Sequence, residues 1–118
     1  MRPTLQNVLY MFNLFQKHFN CRCILFTSTE EIINRCKELD IVVGNATVNE
    51  YGLPYIGDMY KSAAKMFKSS FYGYINADIL ISTEIFPLLE HMKTVHEQQY
   101  PNKLVWLLIM CELDWTLS

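Results

Sequence analysis

The chain has 118 residues, of which 51% are apolar and 19% charged, and its net charge is −2. That length favours one domain, and the apolar content excludes a disordered chain. A pI near 5.9 argues against a basic face for nucleic acid, so no nucleic-acid partner is expected.

Residues 4–19 carry Leu5, Val8, Leu9, Phe12, Phe15 and Phe19 at spacings of three and four, which predicts an amphipathic helix with Pro3 in its first turn. The apolar run 23–27 does not alternate and reads as a buried strand. Ser28 and Glu31 have the spacing of a capping box, opening a helix to about Leu39 that buries Ile32, Ile33 and Cys36. Residues 41–43 form a second buried strand, closed by Gly44 and Asn45, and a polar connection follows to Pro54.

A third helix is predicted over 55–69, with Ile56, Met59, Tyr60, Ala63 and Phe67 on its inner face and Lys61, Lys65 and Lys68 on its outer face. Residues 71–75 form the third strand, with Asn76, Ala77 and Asp78 at its carboxyl end and a further apolar run at 79–81. Ser82 and Thr83 can cap a fourth helix over 84–98, where Pro87 is tolerated near the first turn. Residues 104–110 form a fourth strand.

Strands without period-two patterning that alternate with helices imply an α/β fold: a Rossmann-like three-layer sandwich with a mostly parallel sheet of about four strands, spanning residues 1–118 as a single domain. Ligands in such sheets bind outside the carboxyl ends of the strands. Three polar clusters fall at those ends: Thr27-Ser28-Thr29, Gly44-Asn45 and Asn76-Ala77-Asp78.

The longest apolar run, residues 104–111, is far short of the roughly 20 residues that span a bilayer, so no membrane segment is expected. Thr4, Gln6 and Asn7 interrupt any signal-peptide core, and the cytoplasm is the expected compartment. Cys21 and Cys23 form C-x-C without a matching second pair, so no zinc site is expected. Cys23, Cys36 and Cys111 read as small buried hydrophobes and Cys21 as a loop residue. His91 and His96, five apart, are poorly placed to share a metal on a helix. Asn45-Ala46-Thr47 matches a glycosylation sequon of a kind that arises often by chance. Neither glycine-rich phosphate cradle nor a G-x-S-x-G elbow occurs.

Asp78 stands between two apolar runs, where an acid must reach solvent or find a partner. It can cap a turn through local backbone bonds, or it can hold a hard divalent cation through its carboxylate oxygens. The residues 49–54, Met59-Tyr60 and 70–80 bear on this choice. With an N-x-x-G-x-P loop, a helix and a GY-N-x-DIL strand, they resemble the glycosyltransferase-A-like branch of the nucleotide-diphospho-sugar transferase superfamily.

The resemblance covers about residues 5–90. It implies a sugar nucleotide as ligand and Mn2+ or Mg2+ as cofactor. Asp78 would be the metal-binding acid and Asn76 would stand at the first position of a degenerate D-x-D motif. The Asn45 and Gly52 loops would line the nucleotide side. The family's first strand and its acceptor-binding half have no counterpart here, so the chain is expected to be a fragmentary or degenerate relative that does not turn over a sugar nucleotide alone. In the family that first strand lies between the strands near Ile24 and Ile75. Its loss is expected to split the sheet or force those two strands together, to uncover Phe12, Phe15 and Phe19, and to promote self-association. The rival class is a non-catalytic α/β interaction module.

Overall fold

A computed structural model describes residues 3–45, 47–51, 55–69, 71–77, 79–99 and 107–112. Helices and strands alternate along the chain: α1 (Pro3–His18), β1 (Cys21–Phe26), α2 (Glu30–Glu38), β2 (Val42–Gly44), α3 (Ile56–Met66), β3 (Phe71–Asn76), α4 (Ile85–Gln99) and β4 (Leu107–Glu112). The alternating α/β order and the parallel pairing agree with the expectation from sequence. Among the described residues no helix is long and apolar enough to cross a membrane.

The strand order in space is β2-β1-β4-β3, with every neighbouring pair parallel. β4 pairs along its whole length with β1 on one side and β3 on the other. This corrects the expectation of a split sheet or of a direct β1–β3 pairing: the place between those strands is filled by a strand from later in the chain.

Side chains of β1 divide by parity. Cys21, Cys23 and Leu25 enter one core with α1, α2 and Phe86 of α4, while Ile24 and Phe26 meet Met59 and Ala63 of α3. The three phenylalanines expected to be uncovered are covered. Phe12 and Phe15 are buried, Phe15 meets Phe86 edge-on, and half-buried Phe19 stacks on Phe86 at 3.9 Å between centroids. The physical reason is α4, which supplies the phenyl ring that closes this layer.

Several local expectations shift. Cys21 is not a loop residue but opens β1 and is buried, because β4 extends the pairing back to Cys21 opposite Leu107. The capping box does not form. Thr29 takes the N-cap position of α2 without a side-chain cap bond, and its N–H donates to Thr27 Oγ1 at 3.1 Å. α3 stops at Met66, where Phe67 turns to extended backbone. Its buried stripe narrows to Met59 and Ala63, leaving Ile56 and Tyr60 exposed. In the apolar run 79–81, Ile79 and Leu80 are exposed.

α2 ends in a Schellman motif: Ile41 N–H returns to the Cys36 carbonyl, and Asp40 N–H to that of Lys37. Asp40 occupies the left-handed position with φ of 56°. β2 is too short to pair the start of β1, so the Gln16 amide does so instead. Its Oε1 accepts from Cys23 N–H at 3.0 Å and its Nε2 donates to the Asp40 carbonyl at 3.1 Å. A buried N–H that would otherwise cost a desolvation penalty is thereby satisfied.

Candidate functional site

The carboxyl edge of the sheet is defined by one register row. Gly44 of β2 is level with Phe26 of β1, Phe26 with Glu112 of β4, and Glu112 with Asn76 of β3. All four strands run the same way, so the residues that follow them emerge on one side. Thr27-Ser28-Thr29, Asn45 and Asn76-Ala77 therefore share the edge that the sequence assigned to ligand binding.

They are not immediate neighbours. With strands about 4.8 Å apart, Asn76 is about 10 Å from the β1 row and about 14 Å from the β2 row. A ligand touching both Asn45 and Asn76 has to be extended across the sheet.

Each position has a local cause. Asn76 is exposed at the tip of β3, and its Oδ1 accepts from the Tyr74 hydroxyl at 3.0 Å. The chain then bends, and Ile79 N–H donates to the Asn76 carbonyl at 3.1 Å. Thr27 is buried, with its hydroxyl oxygen tied to the Thr29 amide, and so serves the β1–α2 turn. Asn45 is exposed beyond Gly44. Gly44 is required here by close approach: a Cβ would lie 2.5 Å from Phe26 Cε1 and 3.0 Å from Ile24 Cγ2. Downstream, Asn49 Oδ1 accepts from Tyr51 N–H at 2.8 Å, and Tyr55 N–H donates to the Thr47 carbonyl at 3.0 Å, closing the loop into α3. Tyr51 and Tyr55 are exposed on it.

Of the four residues assigned from sequence, Asn76 and Asn45 stand at this edge, while Asp78 and Gly52 lie outside the described residues. Among the described residues no group of three or more His, Cys, Asp or Glu could hold a metal ion. An exposed carboxamide with a carboxylate two residues later suits a hard divalent cation only when phosphate and water oxygens complete its shell. His91 is exposed on α4, and the His96 side chain lies outside the described residues.

Sequence reasoning missed Glu112, whose backbone is level with Asn76. The signal was present, since an acid ends an apolar strand there just as Asp78 follows one. What was absent was the strand order that makes β4 the neighbour of β3. Cys23 and Cys36 are buried as expected, and the side chain of Cys111 lies outside the described residues. Compared with known protein families, curated proteins and solved structures, the chain finds no match.

Proposed function

We propose that this chain is a Rossmann-like three-layer domain that binds a sugar nucleotide across the carboxyl edge of its sheet, together with Mg2+ or Mn2+. One observation carries the reading: a single row of the parallel sheet collects Gly44, Phe26, Glu112 and Asn76, and the polar residues beyond them, at one edge. In this reading Asp78 holds the cation and Asn76 orients a ligated water or a ribose hydroxyl. The Asn45 and Gly52 loops take the nucleotide side, and the width of the row calls for an elongated ligand. The cation, when bound, neutralises the diphosphate and acts as a Lewis acid on charge that develops there. The assignment of ligand and metal rests on the resemblance of residues 49–54 and 70–80 to the glycosyltransferase-A-like branch.

Calorimetry with uridine and guanosine diphosphate sugars, with and without Mn2+, tests the proposal. Binding should require the metal and should vanish in Asp78→Ala. Binding that ignores the metal, or survives that substitution unchanged, overturns it.

A second reading, a non-catalytic interaction module, is favoured by α4. Leu88, Met92 and Val95 form an exposed apolar stripe at spacings of four and three. A silent titration by a folded chain that self-associates in light scattering would favour this reading.

A further inference from the structure

The two outer strands of the sheet are guarded unequally. β2, on one side, is three residues long. β3, on the other, runs over Phe71–Asn76 with no charge and no proline, and it pairs with β4 in unbroken register. Sheets blunt an outer strand by keeping it short, or with a charge, a proline or a bulge. β2 has the first of these devices and β3 has none. Among the described residues no strand pairs the other side of β3. Its burial agrees: residues 71–75 are only half-buried, whereas every residue of interior β1 except Arg22 is buried. We propose that β3 pairs antiparallel with β3 of a second copy of this chain, across a two-fold axis, so that two sheets become one.

α4 supplies the flank of this interface. Phe15 and Phe19 of α1 meet Phe86 on one side of α4. Leu88, Met92 and Val95 lie about 120–180° around the helix from Phe86, on the side away from α1. α1 packs on β1, and α4 lies beyond it, where Phe71 and Ile75 of β3 join the same core. The stripe therefore borders the open side of β3. Its three side chains are 59%, 45% and 42% exposed.

Charge selects the occupant. A two-fold axis sets groups near their own kind, so a surface that pairs with itself must keep like charges out. Neither β3 nor the stripe carries a charge. A second copy also brings both parts of the match at once: a strand of equal length for the open N–H and C=O groups, and an apolar stripe for the stripe. A single extended peptide would cover the strand and leave the stripe in water. Phe71, Tyr72 and Tyr74 add the cross-strand aromatic contacts that favour such pairing. The contact is isologous and closes at two chains. It gives the α4 stripe a partner, and it holds whether or not the carboxyl edge binds a sugar nucleotide.

Sedimentation velocity on the full chain, from low to high micromolar concentration, should show a reversible monomer–dimer equilibrium. Hydrogen exchange over the same range needs no variant. The amides of residues 72–75 should gain protection as the dimer forms, and those of Val42–Gly44 should not. Leu88→Glu and Met92→Glu change exposed side chains and so should fold. Each should weaken dimerisation roughly 100-fold, because the two-fold axis brings the new charge into the contact twice. A chain that stays monomeric throughout, one that grows past the dimer, a dimer whose β3 amides exchange as in the monomer, or folded glutamate variants that dimerise like the parent would each overturn the proposal.

Discussion

The two faces of the sheet are built unequally. On one face α1, α2 and α4 close over Cys23, Leu25 and Ile109, and most of the buried apolar residues lie there. On the other, α3 contributes Met59 and Ala63 against Ile24 and Phe26, and the surrounding Val42, Phe67, Tyr72 and Tyr74 are only partly buried. The difference follows from sequence. α1 carries an apolar residue at nearly every third and fourth position, whereas α3 carries two small or flexible ones in its inner stripe. The first face holds the fold and the second adjusts to it.

Truncations test that inequality most sharply. Phe12→Ala removes a fully buried ring from the crowded face and should cost about 3–5 kcal/mol in urea unfolding. Met59→Ala should cost about 2 kcal/mol, the low end for such a change, because half-buried neighbours can settle into the space. Equal losses would mean that the faces contribute alike.

Next in size is a steric test on the α3 side. Gly44→Ala drives a methyl against the buried Phe26 ring and Ile24, and should cost about 2–3 kcal/mol by the same measurement. A neutral result would mean that this face yields even where β2 presses on the Phe26 ring.

The crowded face also has an alkaline signature. Cys36 there titrates at about 11 against an ordinary value of 9.0, so between those pH values an unfolded chain sheds a proton that the folded chain keeps. Stability from this source is intact below about pH 9 and falls as pH rises toward 11, by at most about 2–3 kcal/mol. Cys36→Ala should flatten the difference between unfolding curves taken at about pH 8.5 and about pH 10.5, two values chosen about the limits of that window. A slope identical to the parent's would remove burial as its cause.

The smallest effect should be a gain. Gly57 lies in the first turn of α3, and a methyl group placed on its Cα would meet nothing within 4 Å. Gly57→Ala should therefore stabilise by about 0.5 kcal/mol through the unfolded state. A loss in thermal unfolding would mean that this turn is held by contacts of its own.

How far the fold could be read from sequence depends on range. α1 was legible because Leu5, Val8, Phe12 and Phe15 repeat along one helix, a purely local pattern. Cys21 was misread because an Arg follows it and nothing local marks a strand; its partner, Leu107, is far along the chain. Asn76 could be put at the carboxyl edge from the direction of β3 alone. Its nearness to Glu112 could not, because strand order is fixed by packing between distant segments. The covering of Phe19 was missed for the same reason, since Phe86 reaches it from another helix.

β4, the latest of the described strands in the chain, occupies an interior position in the sheet. During synthesis β1 and β2 can pair early, but β3 emerges with no adjoining strand until residues 107–112 have followed it. Its backbone groups meanwhile remain open to water or to other nascent chains. Pairings of such long sequence separation are slow to form, and incomplete sheets with open edges aggregate. Assembly of this sheet therefore waits on β4, and a ribosome that stalls before Leu107 would release a chain whose β1 and β3 are linked only through helix packing, with no strand pairing between them.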